Sequence, residues 1–270
     1  SDKKILAVFG ATGLQGGSVI QHFLNHPDLL TTFSLRALTR TPSSPKAQEL
    51  ASKGIAVVHA DLDKAASLTT ALAGAHAVFL VTDFWSHPDE PGYEVTQLKS
   101  ALHVLASLDT LEHSIFSSLP SISRATNGSV TSVRHFDGKA AVTSWLQTAH
   151  PELWRKTSVL WIGVYFQAWK LFPLAPSKSL TPDGNEVWVQ TSTAYTESEL
   201  PTIDVRDTGF VVRSITQHGP TRLGGKIVKM AESMPLGQML ETCSRILKKS
   251  THFQHISDAD AAAGMQQLGL

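Results

Sequence analysis

Ile5-Leu-Ala-Val-Phe-Gly10-Ala-Thr-Gly13-Leu-Gln-Gly16-Gly17-Ser-Val-Ile20 runs from an apolar strand through spaced glycines into a helix. That strand-turn-helix order is the entry to a dinucleotide-binding α/β fold. Gly10 permits a tight turn, Gly13 lets backbone approach a pyrophosphate, and Gly16 lets the helix pack closely on the strand, with its first N–H groups aimed at the phosphates. The spacing is G-x-x-G-x-x-G rather than the commoner G-x-G-x-x-G, so the surrounding pattern has to carry the reading. It does, because Val19, Ile20, Phe23 and Leu24 give the following segment one apolar helical face. The competing reading is a glycine-rich turn of an ordinary α/β domain.

The second strand, Phe33–Thr39, ends at Arg40, and no Asp or Glu occurs from Thr31 to Gln48. An acidic residue at this strand end would hold a ribose 2′-hydroxyl, whereas an Arg fork matches a 2′-phosphate. The sequence therefore favours NADP(H) over NAD(H), with Arg40 as the phosphate ligand against the plainer reading of a solvated cation. Arg36, inside the strand, is expected to be structural.

Strand-like runs at 5–9, 33–39, 56–60, 77–82, 114–117 and 158–164 alternate with helical patterns at 14–25, 45–53, 65–73, 93–108 and 136–149. Such alternation predicts a Rossmann-type, doubly wound parallel sheet with ligands outside the carboxyl ends of its strands. After Phe166 the rhythm changes. Pro173, Pro176, Pro182 and the Asp183-Gly184 turn bracket a hairpin that includes Val187–Thr191. Further on, 203–218 reads as helix, 226–230 as strand, and 236–249 and 258–268 as closing helices. The expected organisation is an NADP-binding domain over 1–166 and a smaller α/β C-terminal substrate region over 167–270, with 203–231 returning to the core.

Twenty-three basic residues balance twenty-three acidic ones, so no charge excess points to nucleic acid or an anionic membrane surface. The single cysteine, Cys243, can form no internal disulfide. No apolar run is long enough to span a bilayer and no signal-peptide pattern opens the chain. The expectation is a soluble, cytoplasmic protein whose partner is a small molecule.

These residues resemble the NmrA-like group of atypical short-chain dehydrogenases/reductases along nearly the whole chain. The matching segments are Gly10-Ala-Thr-Gly13-Leu-Gln-Gly16-Gly17, Arg-Ala-Leu-Thr-Arg40, Ala-Asp61-Leu-Asp, Val-Thr82-Asp-Phe-Trp85, Phe-Ser117-Ser118-Leu-Pro, His135-Phe-Asp-Gly-Lys139 and Ile203-Asp-Val-Arg-Asp-Thr-Gly209. The resemblance implies an NADP(H)-binding core with Thr12, Leu14, Gln15, Arg40, Asp61, Leu62, Thr82 and Lys139 around the cofactor.

In the broader superfamily a Tyr stands four residues before the Lys and a Ser ends the preceding strand. Here the residue four positions before Lys139 is His135, not Tyr, and Ser117 and Ser118 end the fifth strand. At i, i+4 both His135 and Lys139 share a helix face. Lys139 is read as the ribose ligand and His135 as a candidate proton donor. Ser117 or Ser118 is read either as a donor to developing negative charge or as a cap. Phe84, Trp85, Tyr165, Phe166 and Trp169 are candidates for an apolar substrate wall, or for packing between the two parts. His87, Asp89 and Glu90 do not make a metal set. The reading that follows is an NADPH-dependent oxidoreductase reducing a carbonyl, imine or activated alkene of a small, largely apolar metabolite. The alternatives are a redox-sensing regulator with a protein partner, which would add a nuclear address, and a non-redox cyclase or isomerase on the same fold.

Overall fold

The N-terminal strand and helix form β1 (Lys4–Val8) and α1 (Leu14–Leu24) in the computed structural model, which describes residues 3–90, 92–170 and 176–267. The chain continues through α2 (Leu29–Thr32), β2 (Phe33–Thr39), α3 (Pro45–Ser52), β3 (Ala56–His59), α4 (Ala65–Leu72) and β4 (Ala77–Leu80). Next come α5 (Tyr93–Ala106), β5 (His113–Ser118), α6 (Ile122–Ala125), α7 (Arg134–Ala149), α8 (Pro151–Arg155) and β6 (Thr157–Ile162). The remainder is β7 (Val164–Tyr165), β8 (Ser177–Leu180), β9 (Glu186–Ser192), β10 (Glu199–Ile203), α9 (Thr208–Leu223), β11 (Lys226–Met230), β12 (Glu232–Pro235), α10 (Leu236–Leu247), β13 (Thr251–His255) and α11 (Asp258–Gln267).

Two compact units result. The first comprises Ser1–Ile162 and Val205–Met230, the second Gly163–Asp204 and Ala231–Leu270. In the first, seven parallel strands lie in the order β11-β6-β5-β4-β1-β2-β3. The order reverses between β1 and β4, the crevice where a doubly wound sheet binds its ligand. Central strands covered on both faces need apolar residues at every position, and Leu6, Ala7, Val8, Val78, Phe79 and Leu80 are fully buried. Arg36 is structural as expected, for its Nη1 donates to the Ala71 and Ala73 carbonyls at 2.9 and 2.7 Å.

The second unit begins at Gly163, ahead of the expected Phe166 boundary, because Val164–Tyr165 pair with β10 instead of extending the main sheet. Within that unit β8 and β9 form the expected antiparallel hairpin around Gly184, at φ +82°, while Pro173 lies outside the described residues. Ile203 is the last residue of β10 rather than the first of a helix; α9 starts at Thr208 and runs to Leu223, with Gly219 at φ +69° kinking it before Pro220. The last expected helix is α11, and its expected end at Leu268 lies outside the described residues. Among the described residues no helix is long and apolar enough to cross a membrane.

Two stability predictions arise here. Gly209 packs α9 on α1 so closely that an added Cβ would lie 2.4 Å from both the Ser18 carbonyl oxygen and the His22 Cβ. The same contact is sealed by Ser18, which accepts from Gly209 N–H at 2.9 Å and donates to the Arg206 carbonyl. Gly209→Ala is expected to cost about 3 kcal/mol, read as a melting temperature lower by roughly 10 °C; an unchanged melting curve would contradict this packing.

His113 is 3% exposed, with Nε2 2.8 Å from Ser158 Oγ, and burial pushes its pKa down to about 4 from 6.5. Between those values the unfolded chain binds the proton and the folded chain does not, so stability falls as pH drops. Replacement by Gln should flatten the acid limb of a denaturation series by about 3 kcal/mol between pH 7 and 4. An identical slope in the variant would refute the assignment.

Candidate active site

The turn after β1 is shaped by exclusion. Gly10 sits at φ +60°, and a Cβ there would lie 3.1 Å from Val81 Cγ1, which brings the turn against the end of β4. A Cβ on Gly16 would meet the Phe9 and Gly10 carbonyl oxygens at 2.4 Å, so only glycine fits. Gly13 N–H donates to Gly10 O at 2.8 Å and closes the turn. Gly13 also stands at the N-cap, with no side-chain cap and no acidic residue in the first turn of α1. The helix therefore presents its positive end to the crevice between β1 and β4. Leu14 is 60% exposed at this mouth and Thr12 is half-buried beside it. Gln15 accepts from Ser117 Oγ at 2.7 Å, tying the turn to the end of β5.

At the end of β2 the Arg40 side chain is exposed and, among the described residues, makes no hydrogen bond or ion pair. After β3, Asp61 folds into its own turn, accepting from Asp63 N–H at 3.1 Å and pairing with Lys64 at 3.2 Å. Burial works to raise its pKa, but the Asp63 N–H and Lys64 outweigh it and hold it below the usual carboxylate value. Leu62 is half-buried and packs on the main core.

The centre of the site is a buried triangle. Lys139 of α7 is 8% exposed; its Nζ donates to Glu94 Oε1 of α5 and, at 2.8 Å, to Thr82 Oγ1 beyond β4. Thr82 Oγ1 in turn donates to the same Glu94 oxygen. Burial lowers the Lys139 pKa, while Glu94 and Asp83 oppose that shift. One turn earlier on α7, the His135 ring lies 5.2 Å from Phe84, 5.4 Å from Trp85 and 4.8 Å from Phe136, measured between ring centroids. Trp85 is 70% exposed, on a turn whose N–H is capped by Asp83. Burial lowers the His135 pKa; Glu94 pulls it up and Lys139 pushes it down.

The two serines are committed elsewhere. Ser118, 1% exposed, bonds with Thr143 Oγ1 at 2.9 Å and Lys139 O at 3.3 Å, inside the seam between β5 and α7. Ser117 is spent on Gln15. Both hydroxyls thus set the placement of the glycine turn and of α7. Asp137, between His135 and Lys139, clasps the loop after β5 by accepting from Ser121 Oγ at 2.8 Å and from Ser123 N–H at 3.1 Å. Tyr165 and Phe166 belong to the second unit, half-buried at β7 and the turn that follows it, and the Trp169 side chain lies outside the described residues.

Glu94 was not expected from the sequence, although a signal existed. It falls in phase with Gln97, Leu98, Ala101, Leu102 and Leu105, the buried stripe of α5, so a carboxylate occupies an apolar position. Lys139 does the same on α7, leading Val142, Thr143 and Leu146. Two opposite charges, each misplaced on a buried stripe, point to one another. Tyr93 and Gln97 of the same α5 turn clasp Asp63 at 2.7 and 2.9 Å.

Comparison with known proteins agrees with the fold. The NmrA-like family model matches residues 2–264. A Penicillium ochrochloron protein, the NmrA-like family domain-containing oxidoreductase ptmS, is 29% identical over 94% of this chain and 76% of its own length. Several other fungal oxidoreductases of that description match about half of this chain and only 36% to 41% of their own length. Among solved structures, Nmra, a negative transcriptional regulator, superposes with a TM-score of 0.74 at 22% identity over 94% of this chain and 75% of that one. The NADPH-dependent quinone oxidoreductase QOR2 of Escherichia coli, complexed with NADPH, gives 0.71 at 22% identity over 98% and 83%. At these identities the likeness shows the fold.

Proposed function

This chain belongs to the NmrA-like family, and from that premise we propose that it is an NADPH-dependent oxidoreductase reducing a carbonyl, imine or activated alkene of a small, largely apolar metabolite. The observation that carries this reading is the meeting, at one strand-end crevice, of a side-chain-free glycine turn and a buried lysine. The residues present suit the cofactor. Gly10, Gly13 and Gly16 leave backbone donors and the α1 dipole for a diphosphate, with Thr12, Leu14 and Gln15 bordering it. Arg40 offers an unspent guanidinium fork for the 2′-phosphate. Asp61 and Leu62 would border the adenine. Lys139 has three N–H donors, of which Glu94 and Thr82 take two, leaving one for a ribose hydroxyl.

When bound, the reduced cofactor supplies a hydride. The chain itself has to hold a flat substrate and deliver a proton. Phe84 and Trp85 provide aromatic faces beside His135. His135 as imidazolium donates the proton; because burial lowers its pKa, its acid form grows only as pH falls below the ordinary imidazole value.

The test is NADPH oxidation against a panel of flat carbonyl, imine and quinonoid compounds. Turnover should rise with falling pH through the His135 titration, and His135→Asn should remove that limb. Trp85→Ala should raise KM about tenfold, for the loss of roughly 1.4 kcal/mol of stacking. No NADPH consumption with any member of the panel would contradict the enzymatic reading. His135 in place of the superfamily Tyr favours a second reading, a cofactor-sensing regulator. That reading requires NADP⁺ and NADPH to bind with very different affinities, whereas equal affinities exclude it.

A further inference from the structure

We infer that Glu94 is the positioning residue for Lys139, fixing through the Glu94–Lys139–Thr82 triangle which way the lysine N–H left over for a ligand faces. This rests on the reading of Lys139 as the cofactor's ribose ligand. Both side chains are almost out of solvent, at 7% exposure for Glu94 and 10% for Lys139. A buried ammonium without a counter-ion neutralises or moves out to water, so the carboxylate is what allows a charged lysine to stay at this depth. It also sets direction. Thr82 gives its hydroxyl proton to Glu94, which leaves its lone pairs facing Lys139, so two lysine N–H groups are fixed and the orientation of the third follows.

The corners come from separate elements: Thr82 from the end of β4, Glu94 from α5 and Lys139 from α7. The α5 corner is itself anchored, since Tyr93 and Gln97 hold Asp63 beyond the end of β3. The charged and titratable groups facing Lys139 are Glu94 from α5, Asp83 from the turn after β4 and His135 from α7. Of these, Glu94 alone is in hydrogen-bond contact with the ammonium.

The experiment uses the full chain, with NADPH as titrant across pH 6 to 10, and Glu94→Gln and Glu94→Asp as variants. Gln keeps the size and can still accept from Thr82 but loses the charge; Asp keeps the charge but shortens the reach. For Glu94→Gln the expected result is about tenfold weaker NADPH binding at neutral pH and an alkaline loss of binding that starts about one pH unit earlier than in the wild type. Glu94→Asp should weaken binding while retaining the wild-type alkaline limb. A second readout needs no cofactor. Acylation of Lys139 by an amine-reactive ester, scored by peptide mass spectrometry against the surface lysines, should be about tenfold faster in Glu94→Gln. A purely structural glutamate predicts an equal loss at every pH and unchanged Lys139 labelling, and that outcome would overturn the inference. If the wild-type chain binds no NADPH, the cofactor reading fails, while the labelling still decides whether Glu94 governs Lys139. Should Glu94→Gln fail to fold, NADPH binding by Glu94→Asp at wild-type affinity overturns the inference.

Discussion

Arg40→Asp is expected to abolish the preference for NADP(H). The wild-type guanidinium is exposed and uncommitted at the end of β2, so replacing it disturbs no internal contact and stability should stay within about 0.5 kcal/mol. The effect on binding is large because two changes add. On the proposed assignment, a bidentate charge-assisted contact to a phosphate, of order 3 kcal/mol, would be lost, and a carboxylate would be set against a dianion. NADPH affinity is expected to fall at least about 100-fold, while NADH affinity holds or improves as Asp accepts from the ribose 2′-hydroxyl. Parallel titrations with the two coenzymes read this directly, and an unaltered ratio would refute Arg40 as the phosphate ligand.

Lys139→Met is expected to cost stability and cofactor binding together, and the two losses can be separated. Removing the ammonium leaves Glu94 buried without a counter-charge, which typically costs about 3–5 kcal/mol. Adding Glu94→Gln removes the stranded charge, so the double variant should recover most of that stability in urea denaturation. NADPH affinity should stay low in both, since no donor to the ribose returns. A single Lys139→Met variant as stable as the wild type would contradict the buried pair. Recovery of NADPH binding in the double variant would contradict Lys139 as a ligand.

The first unit was largely legible because its signals are local. Strands buried on both faces are written as apolar runs, and Gly10, Gly13 and Gly16 mark a turn that tolerates no side chain. Val205–Gly209 shows what a sequence match conceals, since Gly209 turns out to be a packing device against Ser18. The second unit was harder to read. Its β13, Thr251–His255, is mostly exposed and polar, and its pairing with β9 is not written in its own residues. Ile203 looked helical because an apolar residue before a helix and one closing a strand are written alike; pairing with Tyr165 decides between them. At the site, Lys139 and His135 were readable from their i, i+4 spacing. Glu94 was hidden because its partner lies on another helix, forty-five residues away in the chain. Ser118 was open between ligand donor and cap from its strand-end position alone, and only the fold shows its hydroxyl bonded to Thr143 and to the Lys139 carbonyl of α7.

The most direct test of the whole account is calorimetric titration of the folded wild-type chain with NADPH, NADP⁺ and NADH. The account predicts one saturable site per chain for the phosphorylated coenzyme, in at least one redox form, and markedly weaker binding of NADH. Heat signals indistinguishable from dilution for all three would contradict it.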